Sequence, residues 1–178
     1  MTRPHEDEVF ADLLTRIGRI SSFGWLDETR QAPQWLQHAA LTVRNALGGT
    51  DPVQFIAGRP YADCRDEELQ TGLLYIFTTD LLIRVDITRD EDSRKSNTSL
   101  HFISRGTLQS LRTDDSRRHF DVTQAGTWTS GQRAILSYAD LKDPVVLPVG
   151  GRWPRSTSPR HERELLAFLP SLVADLGR

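Results

Sequence analysis

The sequence predicts an α+β fold: an antiparallel β-sandwich or barrel that is closed by a C-terminal helix and preceded by two N-terminal helices. Apolar residues repeat with a helical period before residue 50 and again after residue 159. Between about residues 51 and 149 the period changes to two, which is typical of strands. Turn-forming residues separate the short apolar runs in this region, which favours antiparallel sheets over parallel ones.

Two helices are expected before the strands. Pro4 and the acidic residues after it favour a helix start, because negative charge stabilises the positive end of a helix. The second helix is expected from Pro33 to Leu47, with Gly48 and Gly49 as its end. The first apolar stripe comprises Val9, Phe10, Leu13, Leu14, Ile17 and Ile20; the second comprises Trp35, Leu36, Ala39, Ala40, Val43 and Leu47.

The segment Thr71–Thr88 is the clearest strand pair. Thr79 and Asp80 stand where the chain must reverse, and Asp tolerates the backbone of a two-residue hairpin turn. The first strand is apolar on both faces and the second on one, so part of the outer face is expected to be wet. The predicted strands are Val53–Ala57, Leu73–Thr78, Leu82–Thr88, Ser99–Ile103, Thr107–Arg112, His119–Thr123, Ala134–Tyr138 and Val145–Val149.

A last helix is expected after the loop at 150–159. Ser158 can cap it, and Pro170 is expected to kink or split it. Its predicted apolar face comprises Leu165, Leu166, Leu169, Leu172, Val173 and Leu176. We therefore divide the chain into an N-terminal helical extension, residues 1–49, and an antiparallel β-domain with its C-terminal helix, residues 50–178.

Composition restricts the class of protein. Cys64 is the single cysteine, so no internal disulfide can form, and no secretion signal opens the sequence, which predicts a cytoplasmic location. No apolar run reaches the roughly 20 residues of a membrane span. The net charge of −2 is far from the basic footprint of a dedicated nucleic-acid binder.

The order of elements, several antiparallel strands followed by one amphipathic helix, resembles the pleckstrin-homology-like fold. The local match is the segment Gly72–Ile83, which is similar to the strand, Thr-Asp turn and strand pattern of bacterial members. The resemblance covers residues 50–176 at most and implies a module that binds lipid headgroups, peptides or proteins. Members that bind phosphoinositides carry clustered basic residues after the first strand, whereas 59–71 has two arginines and four acidic residues. The resemblance therefore favours a protein or peptide partner.

Motifs of common enzymes are missing from the sequence. There is no Gly-x-Ser-x-Gly elbow, no phosphate-binding loop and no zinc-ligand spacing, so we expect neither catalysis nor a metal or other cofactor. His101 and His119, with Asp121, are the residues of an alternative hypothesis, a small hydrolase or transferase. Their alternation with apolar neighbours is more typical of outward-facing strand positions.

A group of arginines and tryptophans is the predicted binding site, because guanidinium groups can hold phosphates while aromatic rings stack on bases or anchor partners. Its residues are Arg112, Arg117, Arg118, Trp128, Arg152, Trp153 and Arg155. The leading hypothesis is a non-enzymatic cytoplasmic binding or assembly module with a protein or peptide partner. Nucleotide or nucleic-acid binding is the alternative, and homo-oligomerisation stays open.

Overall fold

The computed structural model describes residues 11–17, 34–48, 53–60, 72–89, 96–115, 132–147 and 159–176. Helical residues 11–17 belong to α1 and Gln34–Leu47 form α2. The strands are β1 (Phe55–Pro60), β2 (Gly72–Phe77), β3 (Leu81–Arg89), β4 (Ser96–Ser104), β5 (Leu108–Asp115), β6 (Gln132–Tyr138) and β7 (Val145–Leu147), and α3 is Pro159–Asp175. The predicted α+β class is confirmed, and these strands match seven of the eight predicted ones. The eighth, His119–Thr123, lies outside the described residues.

Strands β1 to β4 form sheet A, an antiparallel sheet in which each strand pairs with the next along the chain. The predicted hairpin joins β2 and β3: Phe77 pairs with Leu82, and the Thr78 N–H donates to the Leu81 carbonyl at 2.9 Å. The Thr78 hydroxyl also accepts from the Leu81 N–H at 3.1 Å, which fixes the turn around Thr79 and Asp80.

The expectation of a partly wet face at β3 is confirmed for the face that carries Arg84, Asp86 and Thr88, of which the first two are half-buried and the third is exposed. The opposite, outer face of sheet A is covered by α1 and α2. Ile83, Val85 and Ile87 are fully buried there because both helices place their apolar stripes on them. The helical residues in this core are Leu13, Ile17, Ala39, Ala40 and Val43, with Leu14 and Leu47 packed against it. Val9, Phe10, Ile20 and the side chains of Trp35 and Leu36 lie outside the described residues.

Two further interactions support these helices. Arg16 of α1 donates to the carbonyls of Val53 and Gln54 at 2.5 and 2.9 Å, which ties the helix to the start of β1. Gly48 has a φ of 60°, the left-handed conformation that ends a helix at little cost in glycine. The predicted end of α2 is therefore confirmed.

Strands β5 to β7 form sheet B, and its inner face shares one core with the inner face of sheet A and with α3. The barrel alternative is wrong, because the two sheets do not close: the turn Arg105–Thr107 redirects the chain from β4 into β5, which then pairs with β6. The shared core contains Phe55, Ala57, Leu73, Tyr75, Phe77, Leu82, Ile103, Leu108, Ala134, Leu136, Tyr138, Val145, Leu147, Leu165, Phe168 and Leu172.

Helix α3 runs without interruption through Pro170, so the predicted split is wrong. Proline removes the hydrogen bond that its N–H would donate to the carbonyl four residues earlier. Pro170 lies on the exposed side of the helix, where water can reach that carbonyl, and this limits the cost.

Candidate functional site

Helix α3 carries a buried row and a largely exposed row of side chains. The buried row consists of Leu165, Phe168, Leu172 and Asp175, spaced three, four and three residues apart. The exposed row has the same spacing and consists of Leu166, Leu169, Val173 and Leu176. Each residue of the exposed row directly follows one of the buried row, so at 100° per residue the two rows lie about 100° apart on the helix surface. The predicted apolar face combined residues of both rows, and that part of the prediction is wrong.

The exposed row is the largest group of exposed apolar side chains on one described element. Leu166, Val173 and Leu176 are 41%, 57% and 42% exposed, while Leu169 is half-buried against the shared core. Leu111 of β5 and Leu141 after β6 are half-buried against the same core. The exposed row therefore borders on an apolar interior, and a bound apolar side chain could extend that interior outward.

The buried row is anchored by a polar group at its end, the Arg105 cluster, defined as Arg105, Asp175, Gln54, Ser171 and Thr78. Arg105 and Asp175 have side chains only 1% exposed and form an ion pair at 2.7 Å. The guanidinium also donates to the Gln54 side-chain oxygen and the Ser171 hydroxyl, both at 2.7 Å, and to the Thr78 carbonyl. This arrangement satisfies a buried charge with several charge-assisted hydrogen bonds.

The cluster fixes α3 to the hairpin of sheet A. The Arg105 backbone N–H donates to the Asp80 carbonyl at 2.8 Å, and its guanidinium lies 5.2 Å from the centre of the Phe168 ring. The exposed row therefore lies on a helix whose position is fixed by the hydrogen bonds of Arg105 to Asp175 and Ser171.

Sequence reasoning missed Arg105, Asp175 and Phe168. One signal was present: Asp175 follows Leu172 by three residues and Phe168 by seven, so it falls on the buried row of the helix. A carboxylate in a buried row requires a cationic partner. Nothing in the sequence identifies that partner as Arg105, 70 residues earlier.

Tyr138 lies in the same core, and its buried hydroxyl has no hydrogen-bond partner among the described residues. Burial raises the pKa of this phenol strongly; the Arg105 charge lowers the pKa and the Asp175 charge raises it, both to a lesser degree. Below pH 10 the phenol is neutral in both folded and unfolded protein. Above about pH 10 only the unfolded chain ionises, so stability falls by up to about 1.4 kcal/mol per pH unit as the pH rises toward the folded pKa.

Replacing Tyr138 by Phe is therefore expected to leave stability near pH 8 unchanged or slightly higher, and to remove this alkaline loss. Urea unfolding of both proteins at pH 8 and pH 11 measures it, with an expected difference of about 1 kcal/mol at pH 11. If the free energy of unfolding of the two proteins changes equally between pH 8 and pH 11, the raised pKa of Tyr138 is not the cause of the alkaline loss.

A polar patch occupies the inner face of sheet A at some distance from α3. Arg84 of β3 forms two hydrogen bonds with the Asp86 carboxylate, at 2.7 and 3.0 Å. His101 pairs with Arg84 in register and is exposed, and its Nε2 lies 3.3 Å from the Ser99 hydroxyl. The predicted exposure of His101 to solvent is confirmed, although the residue lies on the inner face of the sheet. In this patch His101 lies beside the Arg84 guanidinium and the Ser99 hydroxyl, and Asp86 pairs with Ser99 in register.

Most of the predicted site lies outside the described residues. Arg112 is described: it is exposed on the outer face of sheet B, opposite Ile135. The positions Arg117, Arg118, Trp128, Arg152, Trp153 and Arg155 are outside, as are His119 and Asp121 of the enzymatic alternative. The nucleotide-binding and enzymatic hypotheses stay predictions.

Within the described ranges, no group of three His, Cys, Asp or Glu side chains could hold a metal ion. None of the helices in those ranges is long and apolar enough to cross a bilayer. The chain matches no family model, and neither a curated protein nor a solved structure is significantly similar to it.

Proposed function

We propose that this protein is a non-enzymatic binding module of the cytoplasm, with a fold of the pleckstrin-homology type, and that it holds a protein or peptide partner against the exposed row of α3. The observation that carries the proposal is the exposure of Leu166, Val173 and Leu176 along one line of a well-anchored helix. Contiguous apolar surface of this kind is typical of sites for protein partners.

The arrangement of the helix supports this proposal. Apolar residues at positions i, i+3, i+7 and i+10 match the spacing at which an amphipathic partner helix or peptide presents its own side chains. Because the Arg105 cluster holds α3 in place, the row is pre-organised, and little conformational entropy is lost when a partner binds. The support for the fold type is the element order, with two antiparallel sheets and α3 on their common core.

The test is a pair of double variants on the same helix. Leu166→Glu with Val173→Glu places two charges in the exposed row, and Ala167→Glu with Ala174→Glu places the same charges at exposed positions outside it. Affinity purification from native extract, with quantitative mass spectrometry, is expected to recover a partner with wild type and the control. At least a tenfold loss is expected for the row variant, since a buried charge is costly.

Titration calorimetry with the purified partner then gives the second readout. Binding of wild type is expected to show a negative heat-capacity change, and the magnitude of this change is expected to be smaller for the row variant. Equal recovery with both double variants, when circular dichroism shows that both are folded, would refute the α3 site. Failure to recover any partner with the wild-type protein would refute the proposed function.

A further inference from the structure

Four strands lie at the margins of the described sheets: β1 and β4 in sheet A, and β5 and β7 in sheet B. A marginal strand presents unpaired backbone N–H and C=O groups, which can pair with another chain. Soluble proteins block such edges with proline, charge, bulges or very short strands. The four edge strands differ in which of these blocking features they have.

Three of the margins are blocked. β1 ends in Pro60, which has no backbone N–H to donate. β5 has a register shift between Leu108 and Ser110 and carries the exposed Arg112. β7 is only three residues long.

The fourth margin, β4, has none of these devices. It is nine residues long, SNTSLHFIS, with no proline, glycine, lysine, arginine or carboxylate, and it pairs with β3 in continuous register throughout. Phe102 is 49% exposed on this strand. By length, composition and regularity, β4 is suited to accept a further strand.

The ladder shows which backbone groups are available. Thr78 and Leu81 form a hydrogen-bonded pair, and such pairs alternate along antiparallel strands. In β3, residues 82, 84, 86 and 88 therefore bond to β4, through its residues 97, 99, 101 and 103. The backbone groups of Thr98, Leu100 and Phe102 point away from β3, toward the margin.

We propose that two copies of this chain pair through β4 as antiparallel strands, with Leu100 on the two-fold axis. In this register Leu100 lies opposite its own copy, Thr98 opposite Phe102, and Ser96 opposite Ser104. All nine residues are paired, and the two four-stranded sheets become one sheet of eight strands. The proposal does not depend on the exposed row of α3.

The chemistry of β4 favours a second copy as the occupant. Pairing a strand with its own copy places like charges close together when the strand is charged, and this one has no permanently charged side chain. His101 lies opposite Ser99 of the other copy, so the two imidazoles do not face each other. Phe102, exposed in a single copy, becomes covered by the added strand, which supplies the apolar part of the contact.

Sedimentation velocity from 1 to 200 μM tests the pairing. Wild type is expected to be a dimer, and Phe102→Lys is expected to be a monomer, because edge lysines block strand addition. Ser110→Lys is the control, since it places the same charge on an exposed margin of sheet B and should leave the dimer intact. A monomeric wild type, or a dimer that Phe102→Lys does not weaken at least tenfold, would overturn the proposal.

Cysteine pairs test the register even if Phe102→Lys fails to fold. In a Cys64→Ala background, Leu100→Cys places two thiols in a facing pair with Cα atoms about 5.5 Å apart, within disulfide range. Phe102→Cys places its two thiols roughly 13 Å apart along the strands. Mild oxidation is expected to cross-link the first variant and not the second; the reverse, or no cross-link, would overturn the register.

Discussion

Replacing Asp175 by alanine is expected to lower the free energy of unfolding by about 3–5 kcal/mol. The change leaves the Arg105 guanidinium buried without its carboxylate, and desolvation of an unpaired charge is more costly than the lost attraction. The guanidinium can still donate hydrogen bonds to Gln54, Ser171 and the Thr78 carbonyl, but none of these groups carries the negative charge that would neutralise it. Urea unfolding at pH 7 measures the effect.

Two comparisons separate this mechanism from a general effect on the helix. Glu164→Ala removes an exposed carboxylate from α3 and is expected to change stability by less than about 0.5 kcal/mol. The double variant Arg105→Met with Asp175→Leu removes both charges and is expected to recover much of the loss, because apolar groups of similar volume replace the pair. A double variant as unstable as Asp175→Ala would mean that the cation is not the cause.

Phe168→Ala is expected to cost about 3–5 kcal/mol, the range for truncating a buried phenylalanine. Phe168 stacks on Phe55 with ring centres 5.1 Å apart and meets the edge of Phe77 at 5.0 Å. It also lies under the Arg105 guanidinium. The substitution therefore opens a cavity at the junction of α3 and sheet A, and it removes two aromatic contacts of about 0.5–1.5 kcal/mol each within that total.

Leu166→Ala is the matched control, because it shortens an apolar side chain two residues away on the exposed row. It is expected to change stability by less than about 0.5 kcal/mol and to weaken partner binding. Thermal unfolding of both variants, followed by near-ultraviolet circular dichroism, distinguishes the rows. If the two variants are equally destabilised, the division of α3 into a buried and an exposed row is wrong.

The strands were predictable because their apolar period is set locally. β2 is apolar at every position from Leu73 to Phe77, and a strand of that kind must be covered on both faces. The hairpin turn at Thr79 and Asp80 was readable for the same reason: its chemistry lies within four residues. Bounds differed by up to three residues, as at β4, whose polar ends give no period.

The packing of the helices on the two sheets was less predictable, because it depends on contacts between segments that are distant in the sequence. The face of β3 that carries Ile83 and Val85 is covered by α1 and α2, and the alternation of β3 cannot show which face receives the helices. On α3, six apolar residues cover more than one face, so the sequence could not distinguish the buried row from the exposed one.

The candidate site was not predicted. Arginine 105 follows Ser104 at the end of an edge strand, a position where solvent exposure is the usual outcome. It is buried because Asp175 and Ser171 reach it from α3, and Gln54 from the start of β1. The predicted apolar face of α3 combined the exposed row with Leu165 and Leu172 and omitted Phe168. In the structure Phe168 occupies the core with Leu165 and Leu172, which leaves the exposed row available to a partner.

The Arg105 cluster also sets an order of events during translation. Its residues span positions 54 to 175, and the carboxylate that neutralises Arg105 is synthesised after every strand of both sheets. Until then a nascent chain holding residues 53–147 has a guanidinium with no counter-charge and an uncovered Phe55 ring. Contacts of such long sequence separation form late and slowly. Docking of α3 is therefore expected to be a late step in the folding of this chain.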